Sequence, residues 1–256
     1  MRILGLSFGF HDAGACMLDG DQIEFAGHSE RYSKEKNDAW INNELINAAI
    51  EGGKPDVIVL HEKAWEKRMR NLYAGNWRAL REPTQRQWIK KFYPQLAGIP
   101  IKDYWHHETH AGAGALSSNF DECAIMVIDA IGEFDTASIW QWQNNKLKKL
   151  HSIKFPSSLG LFYSAVTHHV GLKPMEDEYI LMGMAAYGKP ENWKPLSKKM
   201  GKKFFKYKHP WISHRQTISM TENLQKGLSK KSFIGVDDFD MAAAAQDQVE
   251  QRVNAY

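Results

Sequence analysis

Cysteine is nearly absent from this sequence. Cys16 and Cys123 are the only two in 256 residues. Both lie in apolar, strand-like runs, which excludes a disulfide-stapled scaffold and leads us to expect buried free thiols in a reducing, cytoplasmic compartment. Long apolar runs are lacking too. No stretch approaches the roughly 18 apolar residues of a membrane-spanning helix, and the opening MRILGLSF has neither the apolar core nor the cleavage site of a secretory signal. No membrane partner is expected. An excess of one charge is also missing: 33 Lys and Arg face 30 Asp and Glu, a net charge of +3. That is too mild to argue for a nucleic-acid partner. The 43% hydrophobic and 25% charged content is that of an ordinary globular protein, and the length suits one large domain or two small ones.

What is present is a concentration of histidine. The run DYWHHETHAGAGALSS, residues 103–118, holds three histidines within five positions. On a helix, His106 and His110 share one face, one turn apart. Two imidazoles so spaced suit a borderline divalent metal, iron first, with zinc or manganese as the other candidates. His107 points elsewhere on the helix. Paired histidines at this spacing also occur by chance, so the flanking sequence has to decide. The small residues at 111–115 are read structurally, as letting the helix approach a sheet or another helix closely. The Met182–Met184 region is read as core.

In chain order, strands are expected at 2–8, 15–18 and 22–29, with a turn at Asp19-Gly20-Asp21. A helix follows at 42–51, then a buried strand at 56–60. A polar, aromatic helical stretch at 62–93, broken near Pro83, leads to a strand at 99–104. After the histidine helix come strands at 123–129, 136–141 and 147–154. This second meander repeats the first: strand, acidic and glycine-bearing loop, strand, turn, strand. Such an internal repeat predicts an α/β fold of the actin-like ATPase type, built from two ribonuclease H-like halves, residues 1–121 and 122–256. That fold would bring His11 and Asp12, in the first loop, opposite Asp129. The second half continues as a helical and Lys-rich insertion at about 156–236. Its first helix is entered through Pro156 and capped by Ser157 or Ser158, its second ends at Gly188, and residues 191–236 read as irregular. Interleaved aromatics such as Phe204, Phe205, Tyr207 and Trp211 among lysines 198, 199, 202, 203, 206, 208, 230 and 231 admit a nucleic-acid reading; a solvated insertion is the preferred one. A helix with an acidic first turn begins at 237. The last two strands of the second half do not occur, so we expect the N-terminal portion of a longer protein, or one half of a split one, completed by a C-terminal half or a complementing subunit.

The runs LGLSFGFHDAGACMLDGDQIEFAGHSERYSKEKND, HHETHAGAGA, IDAIGEFDTAS, FPSSLGLFYSAVTHHVGL and DEYILMGMAAYGKP, in this order over residues 3–190, resemble the nodulation-type O-carbamoyltransferases, which also modify antibiotics and glycans. The resemblance implies that His106, His110 and Asp129 are metal ligands and that a fourth aspartate lies downstream. It implies that His11 is the catalytic-loop histidine and that Lys36 is a functional, substrate-binding basic residue after the third strand. It also implies ATP-dependent activation of carbamoyl phosphate to carbamoyl-adenylate, the donor to a hydroxyl of a sugar or small metabolite. Asp12 either orients His11 or caps the loop. Glu133 either holds a metal-bound water or a sugar hydroxyl, or is an exposed loop acid. The sequence departs from the pattern at Ala130, Ile180 and Asn37, where the family has Gly, Lys and His. A more distant resemblance is to the tRNA threonylcarbamoyl transferases, which share the H-x-x-x-H pair. A non-catalytic metal-binding subunit is the third reading.

Overall fold

The computed structural model describes residues 1–205, 227–228 and 233–255; the Lys206, Tyr207, Lys208, Trp211, Lys230 and Lys231 expectations lie outside them. The chain divides into two compact units, Met1–Thr109 and His110–Tyr256, and is mixed α/β.

The first unit opens with β1 (Arg2–Ser7), β2 (Gly14–Asp19) and β3 (Gln22–His28), a meander of antiparallel neighbours. A four-residue α1 (Glu30–Ser33), unexpected from the sequence, precedes α2 (Asn43–Ala49) and β4 (Val57–Leu60). Next come α3 (Ala64–Tyr73), a 3-10 turn at Trp77–Leu80, α4 (Gln85–Phe92) and β5 (Ile101–Asp103). The sheet order is β3-β2-β1-β4-β5, with β4 parallel to β1 and β5 parallel to β4. The parallel pairings require crossovers, and the helices supply them. Alternation puts Leu4 and Leu6 on one face of β1, where with Phe8 just beyond the strand they pack with Leu45 and Ile46 of α2 and with Ile58 and Leu60 of β4. Two caps fix helix phase. Asn42 accepts from the Leu45 N–H at 2.8 Å, and Thr84 with Gln87 forms a capping box at α4.

Helix α5 (His106–Ser117) spans the division, its first turn counted with the first unit. Only Tyr104 and Trp105 separate it from β5. In the second unit, β6 (Cys123–Ile128), β7 (Asp135–Gln143) and β8 (Lys146–Lys154) form an antiparallel sheet in that order. Asn144 and Asn145 join β7 to β8 with φ of 51° and 56°, the left-handed pair that a two-residue hairpin demands. Ala111 of α5 packs on Val127 and Trp140 of this sheet. A Cβ at Gly112 or Gly114 would meet Leu147 or Ile125 at ordinary contact distance, so these two positions face the sheet with room for a methyl group. Helices α6 (Leu159–His169), α7 (Glu178–Ala185), α8 (Pro190–Phe204) and α9 (Asp238–Asn254) build the larger core, with Phe162, Leu181, Met200, Phe204, Met241 and Ala244 at its centre.

Three expectations need correction. The irregular stretch expected at 191–236 begins as helix α8, because Pro190 suits a first helical position and Leu196, Met200 and Phe204 recur every four residues to face the core. Cys16 and Cys123 are free but only half-buried, since Ala15 and Met17 take the buried face of β2 and leave Cys16 on the other, while Cys123 is the first residue of β6. Met182 is exposed; its neighbour Leu181 takes the inward position on α7.

Candidate metal centre and the His11 loop

On α5, His106 and His110 share a face, and β6 ends one residue before Asp129. One ligand atom from each of the three lies within 4.8 Å of the others. His106 and Asp129 are half-buried and His110 is exposed, so the set is open on one side. Two imidazoles and one carboxylate form a donor set that suits iron(II) or zinc and leaves positions for further ligands. These residues therefore fit the divalent metal implied by the resemblance. His107, the next residue in the chain, is 1% exposed. One helix thus presents adjacent imidazoles to different environments.

The Asp129 segment is held from behind. The Asp129 N–H donates to Thr136 O at 3.0 Å, and the Ala130 N–H donates to Asp129 Oδ1 at 2.6 Å. Ser158 caps α6 by accepting from the Leu161 N–H while its own hydroxyl donates to Ala130 O at 2.6 Å. Gly160 leaves the space required: a Cβ there would sit 2.6 Å from Ala130 Cα. Ala130 itself is not among the residues with positive φ, so its methyl, where the family has glycine, meets no backbone strain.

His11 and Asp12 lie in the loop between β1 and β2. The two side chains bond to each other, His11 Nδ1 to Asp12 Oδ2 at 2.7 Å, and both are exposed. The loop is pinned at either end, Gly9 N–H to Ala39 O and Ala13 N–H to Asp38 O, each at 2.7 Å. This draws the 34–40 segment alongside it. Lys36 is an exposed turn residue of that segment. Asn37, where the family has histidine, takes φ of 58°, a conformation that asparagine tolerates.

Two residues were not picked out as site residues in the sequence. Glu133 is 3% exposed, which overturns the exposed-loop-acid alternative. His61 follows β4 directly and packs edge-on to His106, ring centroids 5.5 Å apart. Burial lowers its pKa to about 4; Glu62 and a backbone hydrogen bond to Leu6 oppose the shift, and His106 and Lys67 add to it, so it is a neutral imidazole at neutral pH. Its place at the C-terminal end of a parallel strand was the available signal, since sites collect there. A cavity of about 430 Å³ also opens in the first unit, between Phe8, Trp40 and Trp88 on one side and Glu62, Lys67 and Asn71 on the other. Among the described residues, no helix is long and apolar enough to cross a membrane.

The chain is 34% identical over 216 residues to an uncharacterized protein of Synechocystis sp., a match covering 74% of this chain and 35% of that protein. It is 26% identical over 185 residues to an uncharacterized protein of Methanocaldococcus jannaschii, covering 72% and 33%. It is 34% identical over 91 residues to the nodulation protein NolO of Bradyrhizobium diazoefficiens, covering 36% and 16%. The chain thus spans about a third of the length of the first two relatives. Residues 2–254 match the family described as carbamoyltransferase N-terminus, and the chain belongs to that family.

Proposed function

We propose that this chain carries the metal-binding and proton-accepting part of an O-carbamoyltransferase that moves a carbamoyl group from carbamoyl-adenylate, made from carbamoyl phosphate and ATP, to a hydroxyl of a sugar or small metabolite. The observation that carries the reading is the convergence of His106, His110 and Asp129, whose ligand atoms lie within 4.8 Å of one another, in a chain of this family. When bound, the metal supplies Lewis acidity to a carbonyl oxygen. The chain's own groups do the rest. The carboxylate of Asp12 fixes the proton of His11 on Nδ1, which leaves the Nε2 lone pair to accept the acceptor's hydroxyl proton. The hydroxyl oxygen then bonds to the carbamoyl carbon and the adenylate phosphate leaves. Lys36 adds a positive charge for that phosphate. The Trp40–Trp88 cavity gives a space for non-reacting parts of the acceptor.

The strand order β3-β2-β1-β4-β5 and the β6-β7-β8 meander that repeats its first three strands support two ribonuclease H-like halves of an actin-like fold, divided near residue 121. The whole reaction would require the portion of the relatives' length that this chain does not span, as a C-terminal half or a complementing subunit. We place the reaction in the cytoplasm.

The test is the metal content of the purified chain beside His106→Ala and His110→Ala, followed by carbamoyl transfer in a chain of the relatives' length. Near-stoichiometric iron or zinc that vanishes in both variants supports the reading. A chain of the relatives' length that holds no metal would sink it.

A further inference from the structure

We propose that His61 is a positioning residue for the metal centre, which sets the ring of His106 and offers it a hydrogen-bond acceptor. This rests on the metal reading above. The His61 side chain is fixed on three sides. It projects from the end of β4, one ring N–H donates to the backbone carbonyl of Leu6 on β1, and its ring stands against His106 at an interplanar angle of 64°. The remaining nitrogen, Nδ1, is buried and has no hydrogen-bond partner among the described residues.

A purely packing role does not account for that nitrogen. A buried acceptor without a donor costs stability, and a native structure that keeps one calls for a reason. An apolar ring would fill the same space without the cost. Metal-bound histidines supply a reason, because they donate their second ring N–H to a carboxylate, carbonyl or water that fixes ring orientation and raises ligand basicity. The Leu6 bond places the proton of His61 on the other nitrogen, so Nδ1 carries a lone pair. The ring that carries this lone pair is the one packed against His106.

The experiment is a cobalt(II) titration of a chain of the relatives' length, read by its visible ligand-field absorption, for the wild type, His61→Phe and His61→Gln, beside metal-free thermal melts. Phenylalanine keeps the ring contact and removes the acceptor; glutamine restores an acceptor. We expect His61→Phe to weaken cobalt binding by about 10-fold or more, to alter the band shape and to leave the metal-free melting temperature unchanged or raised. His61→Gln should recover part of the affinity. Wild-type affinity and spectrum in His61→Phe would overturn the proposal, as would a loss in both variants that only follows a loss of fold. If His106→Ala abolishes binding while His61→Phe does not change it, this proposal alone fails. If the wild type binds no cobalt, the metal reading fails and takes this one with it.

Discussion

At the scale of single residues, the closest approach behind the site is Gly160 against Ala130. A methyl placed 2.6 Å from a backbone carbon has no flexible side chain to displace, so the Asp129 segment itself must move. Gly160→Ala is expected to destabilise the chain by about 1–3 kcal/mol, as overpacking does, in urea unfolding. It should also lower bound metal more than an equally destabilising change elsewhere in the second unit. Ser158→Ala removes both the α6 cap and the bond to Ala130; a loss of about 1 kcal/mol is expected from the cap alone. Tyr163, bonded to Gln246, has its pKa pushed up to about 12 by burial, then by Glu178 and Glu250. Its native pKa therefore lies above the unfolded value near 10. The stability it contributes is complete below pH 10 and is lost as pH rises toward 12. Thermal melts of Tyr163→Phe should show a shallower alkaline decline across that window than the wild type.

At the scale of elements, α6 holds the second unit together. Phe162 is fully buried among Phe204, Phe205 and the other core residues, and Phe162→Ala should cost about 3–5 kcal/mol in the same unfolding experiment. A loss below 1 kcal/mol would mean that this core collapses around the gap. The elements best read from the sequence were those with a strong local pattern. The alternating apolar residues of β1, the Asn-Asn hairpin and the helical histidine pair each carry their own period or turn chemistry. Helix α8 was hidden because its five lysines mask a stripe of four large apolar residues, Trp193, Leu196, Met200 and Phe204. Its partner surface on α9 lies some fifty positions further along the chain.

At the scale of the whole chain, the succession of strands and helices in the first unit and the repeated meander were legible as periodicity plus order. The two groups of candidate site residues are each marked by a local pattern. His106 and His110 announce themselves by a spacing of four, and His11–Asp12 by adjacency in a short loop between strands. His61 and the burial of Glu133 were not legible, because both depend on neighbours brought together by β-sheet pairing rather than by sequence distance. The Asp129 partnership rested on resemblance rather than on pattern, since nothing local in IDAIG marks that carboxylate apart from any other acid after a strand.

The two-residue joint between β5 and α5 has a consequence for how such a chain can vary in length. Tyr104 and Trp105 set the rotational phase of the helix, and with it which of two neighbouring imidazoles meets Asp129 and which is sealed inside. With β5 held in place, one extra residue in the joint would shift the helix register by about 100°, so that His106 would take the buried place of His107 and leave the face that His110 shares. Insertions and deletions should thus be rejected at this joint while the 74–84 excursion between α3 and α4 tolerates them. A library of single-alanine insertions scored for retained cobalt binding would show that contrast as a sharp gap at 104–105.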